Sequence, residues 1–320
     1  MLADCVHPKE EAQVRVGVLG ASGFLGHHLC RALREHTEHS IVAVASYHSD
    51  GDLGLLPRHP EYEVHRLDIA DAITIKRLNC DVLINAAALV SVPDSMGRPF
   101  SHWQTNANAV AFMLSLMPST RFIQVSSSEV FDGKCPPYKD SDRPAPSTPY
   151  GASKAAAECI VQGYAERGTV VRVFNMFSTG QSPRAVIPKM IREAIAVQQG
   201  AKQAASLYGP HGSRAFLYAP EIAKLIATQV LEEPRKLVQI ASSKPIEIGA
   251  LWSLVAREVG IDPALVDWQP LPANVSNVAT LFGFSSAGYP QFDEFPLDGL
   301  RATIKWYREN PNFCNPEDYQ

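Results

Sequence analysis

Two residues four positions apart carry the clearest chemistry in this 320-residue chain. Tyr150 and Lys154 form a Y-x-x-x-K pattern at the start of an alanine-rich segment. In a helix this spacing places both side chains on one face. A lysine ammonium beside a phenol stabilises the phenolate, so the tyrosine is expected to exchange a proton nearer neutral pH. The pair therefore predicts acid–base catalysis, although the pattern alone is common by chance.

A second group of polar side chains follows a short apolar run that ends at Val125. Ser126, Ser127, Ser128 and Glu129 come directly after it. If the run is a strand of an open α/β sheet, these side chains lie at its carboxyl end, where ligands bind. The serine run and the Tyr-Lys pair are therefore predicted to meet in one site.

Three glycines lie between an apolar run and a helical segment near the start of the chain. Gly20, Gly23 and Gly26 have the spacing G-x-x-G-x-x-G. The first allows a tight turn, the second lets backbone approach a pyrophosphate, and the third lets the helix pack on the strand. The helix N-terminus offers N–H groups and a positive dipole end to the phosphates. The predicted dinucleotide contacts in this turn are Gly20, Ser22, Gly23, Phe24, Leu25 and Gly26.

The elements that must position these groups alternate along the chain. Apolar, β-branched runs predict strands at 14–19, 41–45, 63–67, 81–86, 122–125 and 169–174. Helical periodicity predicts helices at 24–33, 103–116, 149–165, 184–197, 221–231, 248–259 and 300–307, with an irregular stretch at 263–296.

This order indicates the fold class and the domain organisation. Strands alternating with helices predict an α/β fold, a Rossmann-type doubly wound parallel sheet. The later part is mainly helical, so a smaller C-terminal substrate-binding lobe is expected. The predicted division is residues 14–175 for the dinucleotide-binding domain and 176–320 mainly for the lobe, with some segments returning to the first domain.

Composition excludes several other classes of function. The net charge of −4 gives no basic field for nucleic acid and no polybasic membrane patch. No apolar run approaches the ~18–20 residues of a membrane span, and residues 1–13 lack the apolar core of a secretory signal. The six cysteines are scattered, which favours reduced thiols in a cytoplasmic protein and no metal site. A small-molecule substrate is therefore expected.

The shifted glycine spacing resembles the short-chain dehydrogenase/reductase superfamily, whose members bind NAD(H) or NADP(H). The resemblance implies that Ser127 is the catalytic serine that holds the reacting oxygen, that Tyr150 is the proton donor or acceptor, and that Lys154 also holds the nicotinamide ribose. Asp68 and Ile69 resemble the adenine-contacting pair. The remaining implied contacts are Ala86, Ala87 and Ala88 beside the adenosine, and Asn106 as a structural asparagine.

The chain also resembles the extended, nucleotide-sugar-modifying branch of that superfamily, from about residue 14 to residue 307. The segments 127–133 and 149–154 resemble the dTDP-4-dehydrorhamnose reductases, and 172–175 resembles the GDP-4-keto-6-deoxymannose reductases and their epimerase relatives. The resemblance implies that Phe174 lines the cofactor site and that Asn175 and Ser128 contact substrate. Arg214 matches the arginine that clamps the substrate diphosphate, a role suited to a planar guanidinium.

Four reactions of this branch stay open: 4-keto reduction, 4-epimerisation, 4,6-dehydration and decarboxylation. All begin or end with hydride transfer at the sugar C4. Glu129 resembles the elimination base of a dehydratase, but reductases share its motif. The predicted second strand is followed by no acidic residue at 45–49, and Ser46 and His48 are candidates to accept a 2′-phosphate. That favours NADP(H) over NAD(H), and with it a reductase that exchanges its cofactor at each turnover.

Two further expectations follow from the resemblance. Some relatives bind NADP without turnover, as sensors, but those commonly lose the tyrosine or lysine that this chain retains. The segment from Trp103 and the segment from Tyr150 commonly form a homodimer interface in the family. Its small or apolar contacts are expected to come from Ala155, Ala156, Cys159 and Ile160.

Overall fold

The computed structural model describes residues 13–45, 55–56, 59–270 and 280–313. The predictions for Ser46 and His48, and the extension at residues 1–12, fall outside these ranges. The strands are β1 Arg15–Leu19, β2 Ser40–Ala45, β3 Tyr62–Arg66, β4 Val82–Asn85, β5 Arg121–Ser127, β6 Gly168–Val173, β7 Met176–Phe177, β8 Ala205–Tyr208, β9 Ser213–Arg214, β10 Leu217–Tyr218, β11 Leu237–Ile240, β12 Ile246–Glu247, β13 Val266–Gln269 and β14 Thr280–Leu281.

The helices surround this set of strands. They are α1 Phe24–His36, α2 Ala72–Arg77, α3 Val92–Gly97, α4 Pro99–Trp103, α5 Ala109–Leu116, α6 Pro149–Gln162, α7 Val186–Gln198, α8 Ala219–Leu225, α9 Ile248–Val259 and α10 Leu297–Glu309. π-Helical turns continue α4 and α8 at Gln104–Asn108 and Ile226–Val230, and a 3₁₀ turn follows β5 at Ser128–Val130.

Within the described residues, seven strands form one parallel sheet in the order β11-β6-β5-β4-β1-β2-β3. The chain builds outward from β1 through β2 to β3, then returns to place β4 on the other side of β1. The crevice beside β1 and β4 is therefore the switch point where open α/β sheets bind ligands. The predicted fold class, a Rossmann-type parallel sheet, is confirmed.

The seventh strand corrects the sequence interpretation of the C-terminal part. β11 pairs with β6 at the sheet edge, with Val238 beside Val171, in a region predicted to hold only helices and loops. Gln239 interrupts its apolar run, which hid the strand. The Gln239 amide is buried, and its Nε2 donates to the carbonyls of Tyr138 (3.0 Å) and Phe284 (2.9 Å).

Other boundaries differ for local reasons. The helix predicted at 103–116 begins at Pro99, which suits a first helical turn because its missing N–H has no partner there. α6 ends at Gln162, ahead of Gly163, and not at 165. The stretch predicted as irregular at 263–296 contains β13, which pairs with β8, and the short β14.

A separate apolar cluster lies in the C-terminal part, between α7, α9, α10 and β8. Trp252 of α9 is almost fully buried there, and its Nε1 donates to the Pro263 carbonyl at 2.8 Å. The four cysteines within the described ranges, Cys30, Cys80, Cys135 and Cys159, are free thiols. No helix in the same ranges is long and apolar enough to cross a membrane.

Candidate active site

The glycine turn closes tightly between β1 and α1. Gly20 has φ +77°, a left-handed conformation that glycine adopts without strain, and its N–H donates to the Val44 carbonyl of β2 at 2.9 Å. A Cβ atom on Gly26 would lie 1.9 Å from the Gly20 carbonyl oxygen. The turn therefore requires glycine at both positions, and α1 packs directly on it.

The middle glycine leaves room for a ligand. Gly23 is exposed, and a Cβ there would meet the Gly20 carbonyl oxygen at 3.2 Å. It is the N-cap of α1 and offers no side chain to the first N–H groups of the helix, which also has no acidic residue in its first turn. Those N–H groups and the helix dipole fit a pyrophosphate.

The ends of the neighbouring strands complete this crevice. A Cβ on Gly20 would lie 2.8 Å from the Ala87 backbone, so the turn and the segment after β4 are in contact. Ala86, Ala87 and Ala88 are partly exposed there. Asp68 is exposed, and its carboxylate accepts from its own loop, at the Ala70 N–H (2.7 Å). Ile69 beside it is partly buried.

Tyr150 and Ser127 are brought together by the packing of α6 on the 3₁₀ turn after β5. Thr148 caps α6 by accepting from the Gly151 N–H at 3.0 Å. A Cβ on Gly151 would lie 2.1 Å from the Glu129 carbonyl oxygen, so only glycine permits this approach. Tyr150 is 7% exposed, and its phenol hydrogen-bonds to the Ser127 hydroxyl.

The electrostatics of the Tyr-Lys pair correct one prediction. Burial raises the pKa of Tyr150 to about 12; the hydrogen bond from Ser127 lowers it and the charge of Glu129 raises it. The predicted lowering by Lys154 is wrong for this geometry. The Lys154 Nζ donates instead to the Val125 carbonyl at 2.6 Å, and burial lowers its own pKa to about 8.

Glu129 lies close enough to Arg214 and to Tyr150 for its charge to act on the pKa of both. Burial raises the pKa of Glu129, and the nearby Arg214 guanidinium opposes that rise. Arg214 is partly buried, and its Nη1 donates to the Ser213 carbonyl at 2.9 Å. A carboxyl with a raised pKa next to a phenol and a serine hydroxyl provides a second acid–base group.

The side chains of the other predicted substrate and cofactor residues are less exposed to solvent. Ser128 is 1% exposed and Phe174 is also almost fully buried, with Phe174 packed 6.4 Å from the Phe131 ring. Asn175 is half-buried, and its side-chain Nδ2 has no hydrogen-bond partner within the described part of the chain. Such an unpartnered buried amide donor is suited to a ligand oxygen.

Two more features support the site. Asn106, expected as a structural asparagine, links the loop after β4 to α6, since its Nδ2 donates to the Leu89 carbonyl and to the Ser153 hydroxyl, both at 3.0 Å. The second feature was missed from the sequence. Glu158 of α6 forms a buried ion pair with Arg172 of β6 at 2.8 Å. Glu158 follows Lys154 by four residues, so its position on the same helix face could have been predicted from the sequence.

Comparisons with known proteins agree with this geometry. The profile of the NAD dependent epimerase/dehydratase family matches residues 16–244. A dTDP-D-glucose 4,6-dehydratase of Bos taurus is 26% identical over 340 residues, covering 98% of this chain and 95% of the relative.

Solved structures share the fold over nearly the whole chain. UDP-N-acetylglucosamine 4-epimerase from Methanobrevibacter ruminantium M1 superposes with a TM-score of 0.82 and 25% identity, covering 93% of this chain and 99% of that one. The dTDP-glucose 4,6-dehydratase DesIV from Streptomyces venezuelae, solved with NAD bound, gives 0.81 and 23%, covering 94% and 99%. With its glycine turn, serine strand end and Tyr-Lys helix, this chain is an enzyme that belongs to the NAD dependent epimerase/dehydratase family, in the extended short-chain dehydrogenase/reductase superfamily.

Proposed function

We propose that this enzyme transfers a hydride at C4 of a nucleotide sugar and eliminates water, as a 4,6-dehydratase. The observation that carries this proposal is Glu129, a partly buried carboxyl whose pKa is raised by burial, whose charge acts on Tyr150 and whose N–H donates to the Ser127 hydroxyl. Oxidation or reduction at one carbon needs only the tyrosine as acid–base group. Elimination needs a second group that removes a carbon-bound proton, and Glu129 fits that requirement.

The site residues are proposed to have distinct roles in cofactor binding and proton transfer. Bound NAD(P) supplies the hydride acceptor or donor at this site. The turn of Gly20, Gly23 and Gly26 would hold its pyrophosphate, and Lys154 its nicotinamide ribose. Tyr150 exchanges a proton with the C4 oxygen of the sugar, while the Ser127 hydroxyl hydrogen-bonds that oxygen and fixes the direction of the phenol.

Glu129 and Arg214 act on the next step in this proposal. The Glu129 carboxylate takes the proton from C5 and returns it to the hydroxyl that leaves C6, which departs as water. The hydride removed from C4 would be delivered to C6, so the bound cofactor would end the reaction in its starting oxidation state. Burial raises the pKa of Glu129, and the charge of Arg214 opposes that rise. Because Arg214 is also the proposed clamp for the substrate diphosphate, binding of that anion would weaken this effect and raise the proton affinity of Glu129 once substrate is in place.

The substrate-binding part is proposed to be the region of residues 176–320 that packs around Trp252, together with Asn175 and Arg214. The unpartnered Asn175 amide supports this assignment. Ser128 is kept as a substrate contact in the proposal, although its hydroxyl is more enclosed than that of Ser127.

A second candidate is reduction of a 4-keto sugar, which the sequence favoured. A tyrosine pKa of about 12 keeps the phenol protonated at neutral pH, as a proton donor to a developing alkoxide requires. The absence of an acidic residue at positions 45–49 supports NADP(H) for this reaction. NAD-retaining 4-epimerisation uses the same first step, and the assembled Tyr-Lys-Ser group argues against an NADP sensor without turnover.

A homodimer is also part of the proposal. Three large apolar side chains, Phe100, Trp103 and Phe112, are exposed on the α4–α5 segment, at 71%, 48% and 45%, and Cys159 is exposed on the neighbouring α6. The expectation for Ala155 is wrong, because that side chain is buried in the core of its own chain. A cytoplasmic location, expected from the scattered cysteines, stays a prediction.

The test is to incubate the purified enzyme with UDP-, dTDP- and GDP-sugars and to identify products by mass spectrometry. Dehydration predicts a product lighter by one water and no net consumption of added cofactor. Glu129→Gln should then lose nearly all product while binding cofactor normally. Stoichiometric consumption of NADPH with a 4-keto sugar, largely retained in Glu129→Gln, would instead establish the reductase and overturn the dehydratase.

A further inference from the structure

The carboxyl end of β5 is fastened to α6 at three successive helical turns. Tyr150, Lys154 and Glu158 are spaced four residues apart and lie along one face of α6. Their partners on β5 are, in order, the Ser127 hydroxyl, the Val125 carbonyl and the Ser126 hydroxyl. The first two contacts belong to the site already described, and the third adds a residue one turn further along the helix.

The third contact rests on a fully buried ion pair. The Ser126 hydroxyl donates to the Glu158 carboxylate at 2.6 Å. Arg172 donates to the same carboxylate through Nε, 3.0 Å from each oxygen, and through Nη2 at 2.8 Å. The two side chains are 1% and 2% exposed, so the guanidinium binds the carboxylate in a fork geometry shielded from water.

Arg172 extends the connection beyond the two elements. Its Nη1 donates to the carbonyl of Asp140 at 3.1 Å, and its guanidinium lies 5.2 Å from the centre of the Phe131 ring. The pair thus joins β5, α6, β6 and the loop that precedes α6. A buried pair of this kind is costly to desolvate, so a contribution to geometry is a better account of it than a contribution to stability.

We propose that Glu158, held by Arg172, is a positioning residue that fixes Ser127 and Lys154 for the hydride transfer and keeps the charge on Lys154. It touches neither substrate nor cofactor and acts through its neighbours on β5 and α6. This inference rests on the proposed function only in the reaction that it serves.

The charge distribution supports the second half of the proposal. Burial lowers the pKa of Lys154 to about 8, and Glu158 opposes that fall. Within the described residues, the other charged or titratable groups on α6 near Lys154 and on the elements packed against it include Tyr150, Arg172 of β6, Glu129 of the 3₁₀ turn, Arg121 at the opposite end of β5, and His102 of α4 with its partner Asp94 of α3. Without Glu158, Lys154 is expected to lose its proton at a lower pH.

The experiment separates the charge of Glu158 from its position. Glu158→Gln removes the negative charge and leaves an amide of the same size whose oxygen can still accept from Ser126 and Arg172. The matched control is Glu258→Gln, in the more exposed ion pair with Arg301 at 2.9 Å. The first readout is NADH affinity as a function of pH, by fluorescence titration, which needs no sugar substrate.

We expect the alkaline midpoint of NADH binding to move to lower pH in Glu158→Gln and to stay at the wild-type value in Glu258→Gln. An unchanged midpoint in folded Glu158→Gln overturns the charge half of the proposal. If wild type turns over no nucleotide sugar, the proposed function fails, and the binding midpoint still decides this inference.

Two further variants test position and do not depend on the folding of Glu158→Gln. Glu158→Asp keeps the charge but shortens the side chain, and Ser126→Ala removes only the hydrogen bond from β5. Since a misplacement of ~1 Å in a reacting geometry can cost ~10²-fold, we expect kcat to fall by roughly 10- to 100-fold in both, with KM and the NADH midpoint near wild type. Wild-type kcat in both variants would overturn the positioning half.

Discussion

Substitution of Gly26 by alanine is predicted to lower the stability of the fold and to weaken dinucleotide binding. The added Cβ would lie 1.9 Å from the Gly20 carbonyl oxygen, 2.7 Å from its carbon and 2.8 Å from the Ala21 Cα. All three contacts are with backbone, so no side chain can rotate to relieve them. α1 must therefore move away from the turn that it closes.

The expected loss of folding free energy follows from the kind of contact that the new Cβ would make. Overpacking a closely packed site typically costs ~1–3 kcal/mol, and a rigid backbone contact places Gly26→Ala near the upper end, at about 3 kcal/mol. For a protein of this size class each kcal/mol lowers Tm by ~2–4 °C, so a fall of roughly 6–12 °C is expected. The displaced helix N-terminus should also weaken NAD(H) binding by at least ~10-fold, equivalent to ~1.4 kcal/mol.

The assay combines thermal unfolding with fluorescence titration of NADH. Gly97→Ala is the matched control, because Gly97 ends α3 and a Cβ there meets nothing within 4 Å. That variant should keep both the wild-type Tm and the wild-type affinity. If Gly26→Ala melts and binds NADH as Gly97→Ala does, the assigned packing of α1 on the glycine turn is wrong.

Three shorter predictions accompany it. Gly23→Asp should abolish NADH binding with little loss of Tm, because the position is exposed and the new carboxylate would repel the pyrophosphate; unchanged affinity in the titration would refute the site. Turnover should fall as pH rises through about 8, where Lys154 loses its charge. The contribution of Lys154 to the free energy of unfolding should instead increase as pH rises from about 8 to 10.5, because in that range the unfolded chain binds a proton that the folded chain has released; urea unfolding of wild type and Lys154→Met across that range checks the sign. Trp103→Glu should convert a dimer to a monomer in light scattering, and Leu265→Glu, at another exposed apolar side chain, should not; a monomeric wild type would contradict the proposed assembly.

The sheet was predictable where apolar periodicity and local turn chemistry agree. β1, the glycine turn and α1 follow one another with strong signals, and the confirmed parallel fold rests on them. β11 was not predictable in the same way, since Gln239 breaks its pattern and its buried Nε2 donates to carbonyls of residues about 45 and 101 positions away along the chain. A local sequence pattern does not predict a strand whose polar side chain is bound by residues far away in the chain.

In the candidate site, too, some features were predictable from the sequence and others were not. The spacing of Tyr150 and Lys154 placed both on one helix face, and the structure brings Ser127 to the phenol. Spacing does not determine how deeply a side chain is buried, so the raised pKa of Tyr150 and the contact of Lys154 with Val125 were missed. The Glu158–Arg172 pair was missed for a related reason, because its partners come from two different elements.

The most direct test of the central claim is single-turnover transfer of deuterium from a C4-deuterated nucleotide sugar, measured in wild type and in Tyr150→Phe. The phenylalanine ring keeps the shape of the site but cannot exchange a proton with the C4 oxygen. General acid–base catalysis typically contributes ~10²–10⁴-fold, so the transfer rate should fall by about that factor while NADH affinity stays at the wild-type value. Transfer by Tyr150→Phe at the wild-type rate would contradict the account.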